Sequence, residues 1–350
     1  MLMTMVWVRA HEEPETAWWG EATDRVLMAA CWRGMGGRPG EDGSPVCHVR
    51  KDGLDGIIGV FDGLGGAGAR PAWLLEEAGD PLAGAHVASH VASLATLAWY
   101  ARTTTRWAGG LHEAIHDALT DAERESNLPK PRFSGTAMRT LPTTVAVIEF
   151  RTMAANTIAH IQAMWAGDSR CYMLEPERGL ARLSMDDLPA DDALEALRDS
   201  PVMTNVAGVD RPFTIHSTAT MASPPVVLLV VTDGFTDFIE APHQLELELL
   251  RALADSGDTT SWAETVARRI SATAQDDATM VAVGLGFDGF ADLQARFAGR
   301  LEALQALDSD TIGRADPGDR DSRTQAANDA WAQYRADYER IVPRREAKVA

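Results

Sequence analysis

Two stretches of this chain share one grammar. Val226-Val-Leu-Leu-Val-Val-Thr-Asp-Gly-Phe-Thr-Asp237 runs six apolar residues, four of them Val, into an acid followed by glycine. Gly56-Ile-Ile-Gly-Val-Phe-Asp-Gly63 ends the same way. Apolar runs of this length predict strands buried on both faces. A carboxylate at the mouth of such a strand, ahead of a glycine that permits a sharp turn, suits a metal ligand or a catalytic acid. A third acid opens the strand predicted in Asp276-Asp-Ala-Thr-Met-Val-Ala-Val283, and Glu41-Asp42 is a fourth acidic point. Carboxylates brought together repel one another unless divalent cations neutralise them. All-oxygen ligation favours Mg²⁺ or Mn²⁺ over Zn²⁺.

Other readings compete for the same residues. Asp-Gly is ordinarily a turn, and the pair recurs at 42, 52, 55, 62, 233 and 288. The argument therefore rests on Asp62 and Asp233, each of which ends a long apolar strand. Gly63-Leu-Gly-Gly-Ala-Gly68 satisfies the GxGxxG pattern of dinucleotide sites, but no alternation of strand and helix surrounds it. His86/His90 and His112/His116 are each four apart on predicted helices, a Zn²⁺-compatible spacing without a third ligand. No GxSxG elbow supports Ser-His-Asp hydrolysis.

Bulk properties narrow the partners. Of the 350 residues 45% are hydrophobic and 24% charged, as in a soluble globular protein. A net charge of −19 without a Lys/Arg-rich run argues against nucleic-acid and anionic-membrane partners. An acidic body that binds an anionic substrate needs cations, and metals supply them. Cys31, Cys47 and Cys171 form no CxxC pair and read as reduced thiols. The first residues, apolar for too short a run, do not make a signal peptide, and no apolar run reaches the roughly 20 residues needed to span a bilayer. The expectation is a cytoplasmic protein.

The elements that position the acids follow from periodicity and turn residues. A strand over Arg25–Cys31 precedes a glycine-rich loop; the first 24 residues read as an edge strand or an ordered arm. Helices are predicted at about 84–103 and 110–126. A meander then covers 143–150, 157–165, 169–175 and 180–184, with a partly helical acidic segment at 186–199. Strands at 213–221 and 226–231, helices at 242–254 and 261–274, and a strand at 279–287 complete the body. Consecutive short strands without helices between them indicate antiparallel sheets and an α+β fold.

In this order the motifs resemble the metal-dependent Ser/Thr protein phosphatases of type 2C. The resemblance rests on Glu41-Asp42, Val60-Phe-Asp-Gly-Leu-Gly-Gly66, Leu141-Pro-Thr-Thr-Val-Ala146, Ala166-Gly-Asp-Ser-Arg170, Val231-Thr-Asp-Gly-Phe-Thr-Asp237 and Asp276-Asp-Ala-Thr-Met-Val281. It spans about residues 25–287 and implies a four-layer α-β-β-α sandwich, two antiparallel sheets flanked by helix pairs. It also implies two Mn²⁺ or Mg²⁺ ions, with Asp62 bridging both. Asp233 and Asp276 would complete one site, Glu41 and the Gly63 carbonyl the other, with Asp42 holding a metal-bound water. Arg38 would bind the phosphoryl group, with Arg33 as the alternative. Gly167-Asp168-Ser169-Arg170 would be a structural turn, Asp168 not a ligand. Three departures stand out: Leu64 replaces the His of many relatives, no acid lies between Lys130 and Pro142 for a third metal, and Asp277 replaces the usual Asn.

The implied function is hydrolysis of phosphoserine or phosphothreonine on proteins by a water activated between two metals. The alternative is a weakly catalytic phosphatase-fold module that binds phosphoproteins or a signalling partner. Either way the partners would be phosphoproteins, with a Ser/Thr kinase or its targets among them. Residues 1–287 would form the catalytic domain and 288–350 a helical appendage. In that appendage Leu293, Phe297, Leu301, Leu304 and Leu307 fall on one helical stripe, and Trp331, Tyr334, Tyr338 and Ile341 on another. The stripes would either pack on the body or bind a partner.

Overall fold

A computed structural model describes residues 16–342 apart from 24, 35–39, 51–52, 54, 75–80, 105, 127–137, 154–156, 191, 199–201 and 237. The described residues begin with the hairpin β1 (Thr16–Ala22) and β2 (Val26–Arg33), so the described part of the first 24 residues is the edge strand. β3 (Val46–Val49) and β4 (Asp55–Val60) lead into a single helical turn, α1 (Gly65–Gly68). A small hairpin, β5 (Pro71–Leu74) and β6 (Pro81–Ala83), precedes the helices α2 (Gly84–Arg102) and α3 (Ala108–Glu125). The meander is β7 (Val145–Met153), β8 (Ile158–Ala166), β9 (Arg170–Glu175) and β10 (Gly179–Arg182). After α4 (Ala193–Arg198) come β11 (His216–Ala222), β12 (Val226–Val231), α5 (His243–Ala254), α6 (Thr259–Ser271) and β13 (Ala278–Leu285). The tail forms α7 (Phe290–Asp310) and α8 (Arg320–Tyr338).

Two sheets result, ordered β1-β2-β13-β12-β9-β10 and β11-β8-β7-β4-β3. Every pairing between their strands is antiparallel. The fold is α+β, a four-layer sandwich, and the apolar runs in the sequence explain why. On β12, Val226, Leu228 and Val230 pack between the sheets with Ile58, Val60 and Ile148. Val227, Leu229 and Val231 point the other way, onto Leu250, Trp262 and Val266 of α5 and α6. A strand covered on both faces has no polar position to spare. α3 packs Leu111, Ile115 and Leu119, spaced by four, onto the other outer face. α6 starts where a capping box requires it: Ser261 N donates to Asp258 Oδ1 at 2.7 Å and Asp258 N to Ser261 Oγ at 3.0 Å.

The tail packs onto the body. Leu293, Phe297 and Leu304 from α7 and Ala327, Trp331, Tyr334 and Tyr338 from α8 share one apolar cluster with α5 and α6. The joint is polar at its centre. Glu246 of α5, fully buried, accepts a two-pronged contact from Arg300 (2.7 and 2.9 Å), the Tyr334 hydroxyl at 2.6 Å and Leu180 N at 3.1 Å. Among the described residues no helix is long and apolar enough to cross a membrane. Removing the carboxylate strands a mostly buried Arg and a buried hydroxyl, at a cost of about 3–5 kcal/mol. Glu246→Ala should therefore lower the melting temperature and open the 313–318 connection to limited proteolysis, whereas the unmodified chain should resist cleavage there.

Candidate metal centre

The acids meet because strand pairing fixes where each strand ends. β4 pairs with β7 with Val60 opposite Ala146. The register continues past the strand as a hydrogen-bonded clamp on Asp62: its N–H donates to Thr144 Oγ1 (3.0 Å), and its carbonyl accepts from Thr144 N (2.7 Å) and Thr143 Oγ1 (2.9 Å). On the facing sheet β12 ends at Val231, and Asp233 enters a single 3₁₀ turn closed by Thr236 N on the Asp233 carbonyl at 2.6 Å. Between β8 and β9 the chain crosses from one sheet to the other through Gly167, at φ +98°, and Asp168. That left-handed backbone is one that glycine adopts without strain.

Carboxylate oxygens of Asp62, Asp168 and Asp233 consequently lie within 4.8 Å of one another, the one such acid, His or Cys group of three or more among the described residues. The strand-end acids Asp62 and Asp233 meet here, and the carboxylate of Asp168, in the Gly-Asp-Ser turn, lies beside theirs. The available signal was the same strand-end grammar, since Asp168 follows the nine-residue β8. Burial first, and then the charges of Asp233, Asp42, Asp168 and Asp276, push the Asp62 carboxyl well above the usual range. Such mutual destabilisation, in an all-oxygen donor set, fits a divalent cation.

Asp42 stands behind this group. Its Oδ2 accepts from Thr232 Oγ1 at 3.0 Å and Thr279 Oγ1 at 2.6 Å, tying the 40–43 segment across the ends of β12 and β13. Its Oδ1 is buried and makes no hydrogen bond among the described residues. Burial, then the neighbouring Asp277, push its carboxyl up to about 8. Asp277 in turn accepts from the backbone N–H groups of Glu41 and Asp42. It therefore acts as a clamp on the loop that carries them.

The remaining predicted residues lie around this core. The Glu41 carboxylate lies where a Cβ on Gly65 would sit, so a larger residue there would displace it. Gly63 is buried and bridges to Thr143. Asp276 is exposed and stands outside the three-acid group, though its charge contributes to the shifts of Asp62 and Asp42. Arg33 Nη1 donates to the carbonyls of Ala274 and Asp276, both at 3.0 Å, and so braces the turn that presents Asp276. Arg38 lies outside the described residues. His86 stacks on His90 at 4.1 Å with its Nδ1 2.6 Å from the Gly40 carbonyl, and His112 and His116 flank Phe213. All three cysteines are buried and free.

No protein-family model matches the chain, and no curated protein sequence does. Solved structures do match. The Mycobacterium tuberculosis serine/threonine phosphatase PstP/Ppp aligns over 75% of this chain and 99% of its own, with a TM-score of 0.51 and 16% identity. A C. elegans sex determining protein aligns over 79% and 68%, with a TM-score of 0.52 and 15% identity. PppA, a key regulatory component of T6SS in Pseudomonas aeruginosa, aligns over 75% and 98%, with a TM-score of 0.50 and 17% identity. At these identities the likeness is one of fold, and the fold is that of the type 2C, or PPM, phosphatases.

The raised Asp42 carboxyl sets a pH dependence. Without metal the native state holds a proton that the unfolded chain has given up above about pH 4. The native state is then penalised progressively as pH rises, in full above about 8. Metal-free protein should thus lose melting temperature between pH 5 and pH 8 by a component that Asp42→Asn removes. Thermal melts of the two proteins in EDTA across that range measure it.

Proposed function

We propose that this chain is a Mn²⁺- or Mg²⁺-dependent phosphatase acting on phosphoserine or phosphothreonine in cytoplasmic proteins. The observation that carries the reading is the convergence of Asp62, Asp168 and Asp233 at one end of a type 2C sandwich. Those three carboxylates would hold the cations, with Glu41, the Gly63 carbonyl and Asp276 as further oxygen donors around them. Bound there, two divalent ions would supply Lewis acidity, withdrawing charge from a phosphoryl oxygen and lowering the pKa of water.

The chain's own residues do the rest by position. Thr143 and Thr144 fix the Asp62 backbone, and with it the strand end that presents the carboxylate to its neighbours. Asp42 keeps one buried acceptor, Oδ1, for a proton of a water at the site. Arg38 is the candidate for the phosphoryl oxygens, because the Arg33 guanidinium is engaged with backbone carbonyls. Leu64 stands where a leaving-group acid would be, so protonation of the departing oxygen falls to solvent. A leaving group of low pKa needs that proton least. The substrates would be phosphoproteins, among them a Ser/Thr kinase or its targets.

Hydrolysis of p-nitrophenyl phosphate with Mn²⁺, with and without EDTA, tests the reading. Turnover should require metal and fall at least about 100-fold in Asp233→Ala, as expected when a charge at the reacting centre is lost. No turnover by folded, Mn²⁺-loaded protein would sink it and favour a non-catalytic module that binds phosphoproteins.

A further inference from the structure

Arg170 is buried at the start of β9, and each side of its guanidinium is used. Nε and Nη2 fork onto Asp186, with contacts of 3.0, 3.2 and 2.7 Å. Nη1 donates to Thr236 Oγ1. Thr236 then closes the turn of the second acid, since its N–H and its hydroxyl both donate to the Asp233 carbonyl, at 2.6 and 2.8 Å. Asp168 lies two residues before Arg170 on the same chain. One side chain therefore spans from the backbone that carries Asp168 to the turn that carries Asp233.

We propose that Arg170 is a positioning residue, which holds the Asp168 and Asp233 carboxylates within ligand distance of each other. The inference rests on the reading of these acids as a metal site. Fold stability alone is a poor reason for this contact, because a buried ion pair stabilises little over apolar side chains of similar volume. Alignment is a better one: β9 and β12 pair with Val231 opposite Arg170, which sets the two strand ends side by side, but the short turns that carry Asp168 and Asp233 lie beyond that ladder. A planar guanidinium with donors in a fixed fork ties them together there, and an ammonium cannot. The tail closes the far side. Arg170, Tyr172, Asp186, Thr236 and Tyr338 line one cleft, where the Tyr338 hydroxyl of α8 donates to that of Tyr172 at 3.1 Å.

Mn²⁺ binding by titration calorimetry on the full chain tests this without relying on turnover. Arg170→Lys keeps the charge and loses the fork. Arg170→Met with Asp186→Leu removes both charges together, so neither is left buried alone. Thr236→Val removes only the hydroxyl link. Each should weaken Mn²⁺ binding about tenfold or more, the usual cost of losing a residue that orients a metal ligand, while metal-free circular dichroism is retained. Asp258→Ala, which removes the α6 cap, should lower the melting temperature and leave Mn²⁺ affinity within twofold. Unchanged affinity in folded Thr236→Val and in the double variant would overturn the positioning role. A wild-type chain that binds no Mn²⁺ would instead overturn the metal site and the inference with it.

Discussion

The constraint on which this structure depends is repulsion among carboxylates that the fold forces together. Two charges 4.8 Å apart, the bound on the Asp62, Asp168 and Asp233 oxygens, repel by about 3 kcal/mol at an effective dielectric of roughly 20. Asp42 and Asp276 add to this. A flexible loop would relieve such strain by moving. Asp62, Asp168, Asp233 and Asp276 sit on no long loop: each is two residues from a strand end of the buried sandwich, and Asp42, on the longer connection between β2 and β3, is tied to β12 and β13 by Thr232 and Thr279. The rigidity of the apolar layers is what keeps the acids from separating.

Rigid strands alone do not set carboxylate positions to within a few tenths of an ångström; local hydrogen bonds finish the task. Thr232 and Thr279 sit side by side at the ends of β12 and β13, with Thr232 N on the Thr279 carbonyl and Thr279 N on Thr232 Oγ1. Both hydroxyls then converge on one oxygen of Asp42. Asp277 returns the contact from β13 to the Glu41 and Asp42 amides. Two acids thereby fasten the 40–43 segment to the central sheet from opposite directions. What Asp277 does there requires an acceptor oxygen rather than a charge, and an amide side chain would serve the hydrogen bonds equally well. The extra charge of an Asp at this position is thus felt in the Asp42 carboxyl and not in the loop geometry.

The sequence was most legible where one residue carries both a pattern and a chemistry. Asp62 and Asp233 announce themselves because an all-apolar strand cannot hold an acid without reason, and the strands, helices and α+β class follow from the same runs. Short elements with little periodicity escaped: β3 has four residues, and the β5–β6 hairpin begins both its strands with proline. Gly-Asp-Ser is sufficient as a turn, and the nearness of the Asp168 carboxylate to Asp62 and Asp233 comes from sheet-to-sheet geometry that no local window contains. Arg170 and Asp277 were likewise invisible as partners, since their contacts reach Thr236 and Glu41, residues 66 and 236 positions away.

Glu246 poses the same problem at the other side of the molecule. It lies on a face of α5 otherwise made of Leu245, Leu249, Leu250 and Leu253, where a lone carboxylate would be costly. Its partners come from β10 and from both tail helices, through Leu180, Arg300 and Tyr334. A catalytic unit ending at residue 287 remains a proposal from the sequence. Cut there, the chain would leave that carboxylate with only the Leu180 amide of its four hydrogen bonds and would bare the apolar face that Leu293, Phe297 and Trp331 cover. The charge in α5 is therefore a reason for the tail to be docked. Through Tyr338 and Tyr172, the docked tail reaches the arginine that spans the two acid-bearing turns.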